Sequence, residues 1–174
     1  MLLTIFSSLM ANPFVVDSNF FIQAYRMHYP MDVVPGFWLK VKELAEKGKI
    51  VSIDKVKDEI HLNKDVLTLW CEANLPNNFF KDTDHIIKEY IVVSNWAHSQ
   101  STRYNLVALN EFLDANEADA WLIAYALANG GKIVTHEISE PNRKNKVKIP
   151  DVCLQFGIQC VNTIEMFRLL GEYF

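Results

Sequence analysis

Nothing in the 174 residues reads as a membrane span. No apolar run approaches the roughly 18 residues that a bilayer-crossing helix needs. Cysteine is scarce: Cys71, Cys153 and Cys160 form no CxxC pair, and an odd number leaves one unpaired under any scheme. That usage argues against a disulfide framework or a zinc site and points to small, reduced thiols in a cytoplasmic protein. With six glycines and six prolines, there is no low-complexity tract, no internal repeat and no linker that would divide the chain. Positive charge is not in surplus either, since 17 Lys and Arg against 21 Asp and Glu leave a formal charge of −4. The balance argues against wrapping nucleic acid by bulk electrostatics, so any such contact requires a local basic patch.

Apolar material is plentiful. Half the residues are hydrophobic, 12% are aromatic and 22% are charged, the balance of one globular domain with a buried core. Met1 to Ala11 is apolar and contains serine, yet it lacks the Lys or Arg of a signal peptide's leading region and its apolar core is short. Residues 1–11 are therefore expected to be a dispensable extension, and residues 12–174 a single domain.

The stretch Asn12-Pro13-Phe14-Val15-Val16-Asp17-Ser18-Asn19 organises the rest. A short apolar run after a proline suits a central strand buried on both faces. Polar side chains directly after it lie at its carboxyl end, where open α/β sheets place their ligand crevices. A helical turn or two over Phe20–Tyr25 follows, then a Pro30–Pro35 loop and a helix over Gly36–Lys47 stopped by Gly48. Ile50–Ile53 reads as a second strand, with Asp54 able to cap a helix over Lys55–Asn63 that carries Glu59. Helical spacing continues over Val66–Ala73, Asp84–Trp96 and Tyr104–Leu113. In the second of these, Ile86, Ile87, Tyr90, Ile91 and Val93 form a broad apolar stripe expected in the core. Asp114 and Glu117 have the spacing of a capping box ahead of a small-residue helix ending at Asn129-Gly130-Gly131. Lys132–Thr135 is a third strand, Glu140–Lys148 a polar basic loop, Ile158–Val161 a fourth strand and Ile164–Leu170 a closing helix. Alternating strands and helices predict a three-layer α/β/α sandwich around a mostly parallel sheet of four or five strands.

Four acids take comparable places in that scheme. Asp17 follows the first strand, Glu59 lies on the helix after the second, Asp119 opens the helix before the third, and Glu137 follows the third. Glu140 is an alternative for the last. Two carboxylates about 4 Å apart repel by roughly 4 kcal/mol at an effective dielectric near 20, so gathering several is unfavourable without a cation among them. A hard divalent ion reverses that sign, and Mg²⁺ held by one or two carboxylates keeps positions for phosphate oxygens. Each acid also has an ordinary reading, as a helix-terminal or solvated carboxylate. His136 is read as structural or exposed before it is read as a ligand.

Phe14–Asn19, Ser52–Ile60, Ala118–Ala126 and Ile133–Glu137, taken in order and spacing, resemble the PIN-domain nucleases. Val147–Cys153 looks like a PIN-like branch long described only as a domain of unknown function. The resemblance runs over nearly the whole chain from about residue 12. It implies a PIN-like fold and a Mg²⁺- or Mn²⁺-dependent ribonuclease, often the toxin of a bacterial toxin–antitoxin pair. By position it implies Asp17, Glu59 and Asp119 as metal-holding catalytic acids, with Asn19 and Thr135 in support. Glu137 stands in a fourth position usually occupied by Asp. The implied reaction is hydrolysis of an RNA phosphodiester, leaving a 5′-phosphate and a 3′-hydroxyl. Arg143, Lys144, Lys146 and Lys148 then become candidates for binding phosphates at the rim of an acidic pocket. A cognate antitoxin and a homodimer are further implications; the pattern does not say whether Phe20, Phe21, Tyr25 and Trp38 face solvent.

Two rivals stand beside this reading. A haloacid-dehalogenase-type phosphatase also begins with a strand and an acid, but it needs a second Asp two residues on, where this chain has Asn19, and no Lys stands in an obvious matching position. A catalytically inactive PIN-like scaffold or binding module keeps the fold and drops the chemistry.

Overall fold

A strand of three residues is stable only when both neighbours and both faces are covered, and Phe14, Val15 and Val16 are all buried. The computed structural model describes residues 12–174; the expectation for residues 1–11 lies outside the described residues. In order, the elements are β1 (Phe14–Val16), α1 (Ser18–Gln23), a π-helical turn (Ala24–His28), α2 (Pro35–Glu46), β2 (Ile50–Ile53), α3 (Asp54–His61) and α4 (Val66–Asn74). They continue with β3 (Phe80–Lys81), a 3₁₀ turn (Asp84–Ile86), α5 (Ile87–Ser99), α6 (Leu106–Phe112), α7 (Ala118–Asn129), β4 (Ile133–Val134), α8 (Ile149–Gln155), β5 (Cys160–Val161) and α9 (Thr163–Leu170).

The sheet runs β3-β2-β1-β4-β5, and every pairing is parallel. Val15 is the hub, opposite Val51 on one side and Ile133 on the other. From β1 the chain winds first toward β3 and then, from β4, toward β5. Parallel crossovers are right-handed as a rule, and such crossovers in two opposite directions put helices on both faces of a sheet. The result is a three-layer α/β/α sandwich with a parallel five-stranded centre.

Local chemistry explains the main elements. Pro35 begins α2 where a missing N–H is harmless, and Phe37, Trp38, Val41, Leu44 and Ala45 form its buried face. Four alanines among the seven buried residues of α7 let that helix lie close against β2 and β4. At α9, Asn162 and Glu165 exchange capping-box bonds, and Gly171 closes the helix in the left-handed region. Phe20, Phe21 and Trp38 are buried, so they belong to the core and not to an exposed dimer face.

Several expectations need correction. The two-residue edge strand β3 and helix α8 carry too few periodic residues to stand out, and Pro150 masked α8 although it sits in the first turn, where proline is tolerated. The apolar stripe expected over Ile86–Val93 is narrower than expected: Ile86, in the 3₁₀ turn, and Val93, on α5, are buried, whereas Ile87 and Ile91 are half exposed. No capping box forms at Asp114. Its carboxylate takes the Asn116 backbone and side-chain N–H groups in a turn, and α7 starts only at Ala118. Asp54 is the first residue of α3 and not its N-cap; its carboxylate accepts the Lys55 N–H at 2.8 Å and also the Thr83 hydroxyl, beyond β3, at 2.9 Å.

Gly131 shows how tightly the bottom of the sheet is joined. Its φ is +104°, and a Cβ there would lie 2.5 Å from the Pro13 carbonyl oxygen, which is rigid backbone. Gly131→Ala should therefore destabilise the fold by about 1–3 kcal/mol, read as a lower urea midpoint; an unchanged midpoint would contradict this packing.

Candidate functional site

Parallel strands end together, so the residues that follow β1 and β4 share one edge. The sheet reverses its winding between these two strands, the place where such folds form a crevice. Asp17 stands there. Its backbone N–H donates to the Val134 carbonyl at 3.0 Å, extending the ladder one residue past β1. Just before it, the buried Ser52 hydroxyl donates to the Val16 carbonyl at 2.6 Å. The Asp17 carboxylate is only 1% exposed. It accepts from the Thr135 hydroxyl at 3.0 Å, the Ser18 hydroxyl at 3.3 Å and the Asn19 amide at 3.4 Å.

Two of the other acids arrive through helix ends. Glu59 on α3 accepts the Ala118 N–H at 3.0 Å, and Ala118 is the first residue of α7. This borrowed cap satisfies an orphan donor, places negative charge at the positive end of α7, and brings Asp119 beside Glu59. Glu137 does the same for α8: it accepts the Ile149 N–H at 2.8 Å and the Lys148 ammonium at 3.1 Å. Thr135 couples the two sides of β4, since its hydroxyl oxygen also accepts the Glu137 N–H at 3.1 Å while donating to Asp17.

Glu59, Asp119 and Glu137 line one cavity of about 170 Å³, with Asn19 and Lys146 on its wall. Asp17 feels its neighbours: burial first, then the Glu59 and Glu137 charges, push its pKa up to about 6 against the pull of the Thr135 bond. Asp119 is raised well above the carboxylate range by burial and by Asp17, Glu137 and Glu59, and Lys146 only partly opposes this. Among the described residues nothing donates a hydrogen bond to Asp119. Desolvation works against the Lys146 charge, but Asp119, Glu111 and Glu137 outweigh it and raise its pKa.

The structure therefore gathers all four sequence-predicted acids and both supporting residues, Asn19 and Thr135, at one edge. It separates the basic loop residues. Lys146 lines the cavity, 3.5 Å from Glu111. Lys148 is ion-paired within the site to Glu137. Arg143 pairs at 2.6 Å with Glu140, which places that acid outside the cavity lining. Lys144 is exposed, and its carbonyl accepts the Asn105 N–H. Glu111 and Glu117 also line the cavity, and sequence reasoning missed both. Glu111 lies within a helix whose pattern carries no sign of a site, and Glu117 has the spacing of a capping-box partner of Asp114. Asp151 was also missed: it is buried, and it fastens the loop after β4 by accepting the Ser139 hydroxyl and, at 3.1 Å, the Glu140 N–H.

The donor set is chemically suited to a hard divalent cation, because it is all carboxylate oxygen and two of the acids are raised by burial and then by neighbouring negative charge. Asp17, Glu59 through its free oxygen, and Asp119 are the residues that would hold it. Glu137 is less available, with both oxygens already bonded. Among the described residues, no three His, Cys, Asp or Glu side chains stand in an arrangement that could hold an ion as placed.

Fold and site together define a three-layer α/β/α domain with an acidic pocket at the carboxyl edge of a parallel sheet. The chain belongs to the family described as Domain of unknown function (DUF4411), which it matches over residues 14–174. Comparison with curated proteins and with solved structures returned no match.

The sign of the Asp17 shift sets a pH dependence. An acid whose pKa is higher folded than unfolded stabilises the fold fully below its unfolded value and loses that contribution as pH rises through the folded value. Without divalent ions, stability should fall between about pH 4 and pH 6. Asp17→Asn should remove this loss, leaving the variant more stable at neutral pH by on the order of 3 kcal/mol, with little difference near pH 4. Urea unfolding at both pH values measures it; a variant destabilised at neutral pH would make Asp17 structural.

Proposed function

We propose that this protein is a divalent-metal-dependent endoribonuclease. The observation that carries the reading is the convergence of Asp17, Glu59 and Asp119, distant in sequence, on one edge where burial and neighbouring negative charge raise the pKa of Asp17 and Asp119. Mg²⁺ or Mn²⁺ bound there supplies Lewis acidity toward water and offsets charge on a phosphodiester. The chain's own residues do the rest. Thr135, Ser18 and Asn19 hold the Asp17 carboxylate in one orientation. Glu59 fixes α7, and with it Asp119. Lys146 presents a cation at the cavity wall for a phosphate; its 3.5 Å contact with Glu111 is longer than the Arg143–Glu140 and Lys148–Glu137 pairs.

The resemblance to PIN-domain nucleases supports the same chemistry and adds a setting: a bacterial toxin restrained by an antitoxin that covers the acidic pocket. Homodimerisation is an expectation of the same origin. A cytoplasmic location fits three free cysteines, and no helix among the described residues is long and apolar enough to cross a membrane.

A second reading, an inactive scaffold, is favoured by the Lys148–Glu137 pair and by the absence, among the described residues, of three acids arranged to hold an ion. One experiment separates them. Total RNA incubated with Mn²⁺ should be cut by the wild type to products with 5′-phosphates, and Asp17→Asn or Asp119→Asn should slow cutting by more than about 100-fold. Mn²⁺ should also raise the wild-type melting midpoint. Intact RNA together with an unmoved midpoint selects the scaffold.

A further inference from the structure

A second, larger cavity of about 620 Å³ lies on the other side of Glu137. It shares Thr135 and Glu137 with the acidic site, so the two spaces meet at one partition. Its walls differ in character. The His28 and His136 rings stack at 5.6 Å and 27°, beside Tyr29. The His136 Nε2 lies 3.0 Å from the Thr163 hydroxyl, which fixes the ring's plane. Arg168 stands on the same wall, and among the described residues it has no ion-pair partner. The Glu137 charge on the partition is already balanced by Lys148.

The backbone that delivers His28 is unusual. Residues Ala24–His28 form a π-helical turn, closed by a Tyr29 N–H bond to the Ala24 carbonyl at 2.7 Å. Such turns insert an extra residue, are rare, and occur frequently at functional sites. Here the turn leads His28, which is exposed, onto His136. It is braced from behind by the Tyr29–Phe37 stack at 4.3 Å and by the Trp38 indole N–H, which donates to the Tyr29 carbonyl at 2.7 Å.

We propose that this cavity binds one unstacked nucleotide of a single-stranded RNA, its base against the His28–His136 rings and its phosphate toward Arg168. The proposal rests on the nuclease reading for the identity of the strand. Paired π-faces with a free cation are the recurring means of holding single-stranded nucleic acid, because every base has a face to stack while its phosphate carries charge. A strand with one phosphate at the acidic pocket would have a neighbouring base within reach across the Thr135–Glu137 partition. A base inside a duplex is not free to enter, so duplex RNA should be a poor ligand.

The test is a titration of adenosine 5′-monophosphate into the full chain without divalent ions, followed through the histidine ring C–H signals. Saturable upfield shifts of His28 and His136 are expected. His28→Ala should weaken binding about tenfold. Arg168→Ala should weaken the monophosphate but not adenosine. Both side chains are exposed, and an unchanged circular dichroism spectrum checks each variant's fold. Absence of a saturable shift, or affinity indifferent to His28→Ala, overturns the proposal. If the nucleotide binds but total RNA with Mn²⁺ stays intact, the nuclease reading fails and the pocket stands. If RNA is cut in an Asp17-dependent way but no shift appears, only the pocket fails.

Discussion

A buried carboxylate among other carboxylates is the constraint to which this edge of the sheet is fitted. Asp17 follows a strand that cannot move, because β1 is paired on both sides and covered on both faces. Its charge therefore cannot escape to solvent, and burying an unpaired charge is costly. The fold answers with three local donors, Thr135, Ser18 and Asn19, and with a raised pKa that lets a proton stay. A proton and a cation compete for the same oxygens, so the state of this group is a ready gauge of what occupies the pocket.

The surrounding acids are held by a shared device. Glu59 and Glu137 each give a carboxylate oxygen to the first N–H of a helix that belongs to a different part of the chain, α7 and α8. Each contact positions the helix and also positions the acid. The same contacts divide the roles. Glu59 keeps one oxygen free, whereas Glu137 is bonded at both and paired with Lys148. Glu137 is accordingly better placed as a partition between two cavities than as a ligand.

Much of the fold was legible because its signals are local and periodic. Short apolar runs ending in polar residues marked β1, β2 and β4, and the alanine-rich α7 announced close packing on a sheet. What failed was short or ambiguous. The two residues of β3 have no period to read, and the seven of α8, with Pro150 in the first turn, are too few to announce a helix. At the site, the positions of Asp17 and Glu137 followed from parallel topology, since strand ends share an edge; Asp119 was less obvious, because it enters at the N-terminus of α7. Their differences did not follow, because a hydrogen bond across 59 residues, such as Ala118 to Glu59, leaves no trace in spacing. The sharing of charge in the basic loop was hidden for the same reason: Lys146, Lys148 and Arg143 are equivalent in composition and separate only through their partners. The His28–His136 stack depends on a π-helical turn, which a sequence pattern does not show.

The most direct test of the central claim is an anomalous-scattering map from crystals soaked in Mn²⁺. A peak is expected within coordinating distance of the Asp17, Glu59 and Asp119 carboxylates, with Glu137 retaining Lys148. A map with no peak at that edge, or with Mn²⁺ bound only elsewhere, would contradict it.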